Sequence, residues 1–443
     1  ATPIVPYTSW AWAATNIQNA LDCSVSNDVV IVTNGVYDIG GRTNANAGTL
    51  TNRVVITNFV TVRAASANPA DTLIVGAPDT RGGSPSNGPS AVRCAYVENG
   101  SLLSGFTLTG GYTSTGNTET AWGGGVFCQS GSATLSNCVI ASCRAGQYGG
   151  GAYNGTYKDC LVISNVSLGN GGGVYNGSYF VNSRIVANSA SGDAGGGFNG
   201  FYTNCVISYN TAPYSGGGLY NAAIYNCVID HNSSWINYGG ALQGGYVYNS
   251  AIVSNFGVGS CGGVIQASPV VNCIIRDNVG GLGSVSYSGG YYQNCLIVGN
   301  RSGPCFWGAP LLINCTVVSN LNGVFNSGVS ATNCIVYGNV PCDVTSLSVE
   351  SNFFYSCIGS NSAGITHVAG NHNIYSANPQ FVNATTGNYR LASGQSPCYS
   401  SGVNQPWMTN GVDLDGNLRI RNLYVDMGAY EIYVKGGTIF RGK

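Results

Sequence analysis

Between residues 122 and 340 apolar and polar positions recur with a period near 22 rather than the period of 3.6 that marks a helix. Aligned on Asn-Cys, or its variants Asp-Cys and Asn-Ser, the second residue falls at Cys138, Cys160, Ser183, Cys205, Cys227, Ser250, Cys273, Cys295, Cys315 and Cys334. Two residues after each anchor stands Ile or Val, from Ile140 to Val336. Five residues after it stands Cys143 and then, without a gap, Asn165, Asn188, Asn210, Asn232, Asn255, Asn278, Asn300, Asn320 and Asn339. Glycine pairs or triplets precede most anchors, at Gly123, Gly149, Gly171, Gly195, Gly216, Gly239 and Gly262.

A helix disfavours glycine triplets and β-branched runs, whereas short β-branched segments broken by Gly and Asn suit strands joined by tight turns. The pattern therefore predicts an all-β chain, a single parallel β-helix (solenoid) whose coils of about 22 residues stack roughly 4.8 Å apart. Cys and the Ile or Val two later share one strand face and point inward. The recurrent Asn forms a ladder of amides bonded to the coils above and below. Glycine triplets here are corners of the coil; neither GxGxxG nor a P-loop spacing is present to cradle phosphate.

The ends depart from this pattern. Residues 1–28 are expected to form an N-terminal cap, with Trp12, Ile17, Ala20 and Leu21 at helical spacing, because a terminal coil leaves open strand edges. Residues 29–121 read as irregular first coils, 122–340 as the regular repeats and 341–375 as the last irregular coils. A C-terminal cap follows at 376–434, then a tail at 435–443.

The residue immediately after each anchor has the opposite parity and should face outward. These are Val139, Leu161, Arg184, Val206, Val228, Ala251, Ile274, Leu296, Thr316 and Ile335, nearly all apolar. The sequence thus predicts a greasy outer stripe fit for binding or assembly, unless a neighbouring loop covers it or a bulge reverses the parity. Repeated tyrosines, at Tyr153, Tyr157, Tyr175, Tyr179, Tyr202, Tyr220 and Tyr225, suggest an aromatic outer face or filling of the coil.

Charge changes the picture mainly by its scarcity. Charged residues make up 7% of 443 and the net charge is −1, which argues against nucleic acid or an anionic membrane as partner. No run approaches the length of a membrane span. Of 17 Cys, eight are anchors read as packed thiols, since in-register neighbours on parallel strands make strained disulfides. Among the other nine, Cys128 with Cys143 and Cys342 with Cys357 are the candidate pairs. The only histidines are His231, His367 and His372 and there is no CxxC, so no zinc site is expected.

The helix-strand opening, Asn99-Gly100-Ser101-Leu102-Leu103-Ser104-Gly105-Phe106 and the Asn-Cys coils resemble the right-handed parallel β-helix proteins related to pectate lyases. The tail is similar to the choice-of-anchor Q domain through Asn378-Pro379-Gln380-Phe381, Tyr389-Arg390-Leu391, Ser396-Pro397, Asp415-Gly416-Asn417 and Asp426-Met427-Gly428-Ala429-Tyr430-Glu431. The resemblance implies a protein exported from a bacterium to the cell surface or beyond, of a kind that hosts lyases, adhesins and structural proteins alike.

A lyase of that kind needs a base and usually a carboxylate cluster for Ca²⁺. Lysines are only Lys158, Lys435 and Lys443, and carboxylates are sparse in the repeats. The sharpest catalytic candidates are Asp230 and His231, with Arg276 and Asp277 two repeats later at the same coil positions; the alternative is scattered surface charge. Asp413, Asp415 and Asn417 offer half a calcium loop or simply a turn, and no cofactor is expected beyond that chance of calcium. The expectation is a non-enzymatic structural or adhesive solenoid whose partner is a second copy, as in fibres, or a cell-surface polysaccharide. Alternatives are a polysaccharide lyase or glycoside hydrolase and a passive carbohydrate-binding protein.

Overall fold

The computed structural model describes residues 3–44, 46, 48–57, 59–83, 86–257, 264–326, 328–344, 352–359, 370–420 and 423–432. The tail 435–443, Cys261, Gly262 and His367 lie outside the described residues. The chain divides into two compact units, Ala1–Ala267 with Val279–Gly281, and Ser268–Asn278 with Leu282–Lys443.

The first unit is a parallel β-solenoid. A representative coil holds the strands Ala152–Tyr153, Thr156–Lys158, Leu161–Ile163 and Val166–Ser167. Each pairs in parallel, and in register, with its counterpart one coil on: Leu161 stands opposite Val139 and Arg184, and the series continues to Val206, Val228 and Ala251. Strands this short are stopped by left-handed corners. The residue before each anchor has positive φ, from Asn137 and Asp159 to Asn226 and Asn249, as does the residue four after it, from Ser142 to Ser254. Asn and Asp tolerate that conformation better than other non-glycine residues, which explains the first half of the Asn-Cys signature.

Glycine serves a further corner. Gly171 has φ +69°, and a β-carbon on Gly172 would overlap the carbonyl oxygen of Gly195 in the next coil. The coil-to-coil approach there leaves no room for a side chain.

Inside, Ile140, Val162, Ile185, Ile207, Ile229 and Ile252 are fully buried, and the anchors beside them are buried too. Tyr157, Phe180 and Tyr202 fill the opposite wall as an internal stack, with centroids 4.7 and 4.6 Å apart. Their hydroxyls are satisfied within the coil, Tyr157 by Asn154 O and Tyr202 by Asn199 O.

The Asn ladder is a continuous buried chain in this unit. The Asn188 backbone N–H and Nδ2 both donate to Asn210 Oδ1, while Asn210 Nδ2 donates to Ile185 O and Asn232 Oδ1. The first rung is Cys143, whose N–H donates to Asn165 Oδ1. In the second unit Asn278, Asn300, Asn320 and Asn339 repeat the arrangement. There the buried carboxylate of Asp343 ends the ladder, accepting from both nitrogens of Asn339 at 2.8 Å.

At the N-terminus the helix is Ile17–Asp22, with Asn16 as its cap. Ile17 and Leu21 are buried as their spacing requires, and Gln18 bonds both backbone groups of Val55. Trp12 does not join that face. It sits in a separate 3-10 turn, Trp10–Trp12, and is about half exposed.

The second unit has the same anchor strands, from Ile274–Arg276 through Leu296–Val298, Thr316–Val318 and Ile335–Tyr337 to Cys357–Ile358. The repeat runs one coil further than the Asn-Cys pattern indicates: Ser356 takes the anchor place, its hydroxyl accepting from Cys334 N. The segment from the hairpin Phe381–Asn383 and Asn388–Leu391 to residue 432 folds back over the outer face of these strands.

Candidate functional site

That fold-back divides the expected outer stripe. In the second unit Leu296 packs with Tyr389, Ala429 and Tyr430, and Ile335 with Leu391, Cys398 and Met427, so both are buried. Thr316 accepts from Ala429 N, and Ile274 is half-buried against the same cluster. The docking is polar at its edge, where the corner asparagines turn outward: Asn294 donates to Val412 O, Asn314 to Asp426 O, and Asn333 exchanges two bonds with Val403. Here the stripe is a docking site already occupied. In the first unit Val139, Leu161 and Val206 are half-buried and Val228 is 41% exposed.

Two aspartates hold this segment together. Asp413 accepts from the N–H groups of Asp415, Asn417 and Glu431, and Asp415 pairs with Arg390. Asp413, Asp415 and Asn417 lie in and around a turn, and both carboxylates have partners there.

The four catalytic candidates separate into two neighbour pairs. His231 Nδ1 lies 3.0 Å from Asp230 Oδ2, and the His231 ring stacks on Tyr209. Arg276 Nη1 donates to Asp277 Oδ2 at 2.6 Å. Asp230 and His231 belong to the first unit, Arg276 and Asp277 to the second, and each pair is closed on its own sequence neighbour.

The expected pairs are not joined: Cys128, Cys143, Cys342 and Cys357, like Cys398, stand as thiols in this structure. Cys128 lies within 4.0 Å of the Tyr157 hydroxyl inside the coil, whereas Cys143 occupies the head of the Asn ladder, with Sγ toward Leu108 O.

One organised surface of the first unit is aromatic. Phe127, Tyr153, Tyr175, Phe198 and Tyr220 occupy one register position on successive strands, and Tyr96 precedes them. Their rings stack with centroid spacings of 5.8, 5.0, 5.8, 4.8 and 4.6 Å. Tyr96 and Phe127 are buried; the next four are half-buried, each showing part of a ring to solvent. Trp122 and Tyr148 widen the column, Tyr148 stacking on Tyr175 at 4.4 Å. Mutual burial raises the phenols of Tyr153 and Tyr175 above their ordinary value, so both are neutral donors.

Beside the rings runs an exposed amide ladder. Asn176 donates to Asn154, Asn199 to Asn176 and Asn221 to Asn199, at 2.8, 3.3 and 2.9 Å. Each bond uses one of the two N–H groups a side-chain amide carries. Beyond it lies a second pair of rings, Tyr179 and Phe201, 5.2 Å apart and about half exposed. Tyr225 and Tyr248 stack further along. Of the recurrent tyrosines, Tyr153, Tyr175, Tyr179, Tyr220 and Tyr225 reach the surface, whereas Tyr157 and Tyr202 fill the coil. Phe198 and Phe201 complete the face. The signal for the first column was the recurrence of Tyr-Asn-Gly and Phe-Asn-Gly at 153, 175 and 198.

Among the strands that carry these columns, the charged residues are Lys158 and the fully buried Arg93, whose guanidinium lies 5.1 Å over the Phe127 ring. The face therefore offers flat apolar rings, hydroxyls and amides, which suit a ligand that is itself flat, hydroxylated and uncharged.

No family model and no curated protein matches the chain. Among solved structures, the crystal structure of pectate lyase Pel9A is similar at 13% identity, covering 96% of this chain and 92% of that one, with a TM-score of 0.35. The parallel solenoid rests on the strand pairings themselves. Among the described residues no helix is long and apolar enough to cross a membrane.

Proposed function

We propose that this protein is a non-enzymatic adhesive or structural β-solenoid that acts outside the cell and holds an extended, uncharged polysaccharide along the aromatic face of its first unit. The observation that carries the reading is the pairing of a stacked ring column with a parallel amide ladder, both repeating once per coil. A sugar chain lying along that repeat meets a ring for its apolar face and an amide for its hydroxyls at each coil.

The occupied stripe of the second unit favours a polysaccharide over a second copy as partner, because the C-terminal segment already covers much of the apolar surface that argued for assembly. The lyase or hydrolase reading rests on Asp230, His231, Arg276 and Asp277, of which His231 lies against Asp230 and Arg276 against Asp277.

Affinity electrophoresis of the whole chain in gels containing soluble linear neutral glucans or xylans tests the proposal. Retardation is expected, with no oligosaccharide products after long incubation. Unhindered migration in every neutral glycan, or release of products from polygalacturonate, would overturn it.

A further inference from the structure

Cys357 takes the place of an outer-stripe residue: it pairs in register with Ile335, directly after the anchor-like Ser356, and so faces the C-terminal segment. Cys398 comes from that segment, its carbonyl accepting from Met427 N. Both are fully buried and share one packed cluster with Ile335, Leu391 and Met427. Among the anchors, Cys227 Sγ accepts from Cys205 N, but these residues stand just before in-register parallel strands, where successive Cα–Cβ bonds run side by side. Cys357 and Cys398 come from two different packed layers, so they are not held to that side-by-side geometry.

We infer that Cys357 and Cys398 form a disulfide that staples the C-terminal segment to the outer face of the solenoid. With a low-molecular-weight disulfide such as oxidised glutathione as oxidant, the thiolate of one cysteine attacks it, releasing one glutathione thiol and leaving a mixed disulfide. The other cysteine then displaces the second glutathione, so two thiols lose two protons and two electrons and one oxidised glutathione becomes two reduced molecules. The exchange belongs to folding, before the segment docks, because docking buries both sulfurs.

The test is refolding of the whole chain in a buffer of oxidised and reduced glutathione, followed by alkylation and non-reducing peptide mapping. The expected result is a linked peptide pair containing Cys357 and Cys398, and a Tm that falls by several degrees on reduction. The double variant Cys357→Ala with Cys398→Ala should fold and lose that sensitivity to reductant. Full alkylation of both cysteines after refolding in excess oxidised glutathione, or linkage of Cys357 to Cys342 instead, would overturn the inference.

Discussion

Asn188 sends two hydrogen bonds, from its backbone nitrogen and from Nδ2, to one atom, Oδ1 of Asn210, each at 3.0 Å. Asn210 in turn uses both of its side-chain N–H groups, so nothing at this buried site is spare. Asn210→Ala strands two donors of Asn188 and should cost about 3 kcal/mol or more. Asn210→Asp keeps the acceptor but loses both donations, and should destabilise as well. Asn199→Ala, in the exposed ladder, should cost under about 1 kcal/mol because water replaces the lost partner. Urea unfolding midpoints of the three variants decide it; equal losses at positions 199 and 210 would mean that burial does not set the value of the ladder.

If a glycan lies along the aromatic face, its exposed rings should carry the affinity without carrying the fold. Tyr179→Ala and Phe201→Ala should each weaken binding of a linear neutral glucan about tenfold, as expected for losing roughly 1.4 kcal/mol of stacking. Far-UV circular dichroism should be unchanged, since both rings stand half out of the surface. Wild-type affinity in the double variant would move the site elsewhere.

The coil was legible because its chemistry repeats: left-handed corners demand Asn or Gly, and buried amides demand one another, so each requirement writes the same residue once per coil. The facing of Tyr157 against Tyr153 was not legible. Both lie four residues apart in one coil, but the corner at Asn154 and Gly155 resets the alternation between them. Nor could local spacing show that residues 381–432 lie on the stripe, since that contact joins positions over a hundred residues apart, such as Thr316 and Ala429. Asp343 was passed over for a similar reason. It ends the Asn ladder through a loop, outside the 22-residue rhythm.

The two halves of the stripe should answer differently to truncation. Leu296→Ala removes a side chain packed among Tyr389, Ala429 and Tyr430 and should cost about 2–4 kcal/mol. Val228→Ala, at a place 41% exposed, should cost roughly 1 kcal/mol or less. Thermal unfolding of both variants measures the difference. A small loss at Leu296 would mean that the C-terminal segment does not rest on the strands in solution.

The same segment should become less stable as pH rises. Arg419 is fully buried with Nη1 3.3 Å from Glu431 Oε1, and Glu431 also accepts from Asp426 N. Burial outweighs the pull of Arg419 and raises the Glu431 carboxyl from 4.5 to about 8. The folded state therefore keeps a proton that the unfolded chain has already lost. Stability from this group is fully present below about pH 4.5 and is lost as pH climbs through 8, at no more than about 1.4 kcal/mol per pH unit. Glu431→Gln holds an uncharged side chain there at every pH and should flatten the decline. Melting temperatures of both proteins from pH 6 to 9 make the comparison. A wild type that is firmer at pH 9 than at pH 6 would show that Glu431 is ionised when folded and that its attraction to Arg419 exceeds the cost of burying the charge.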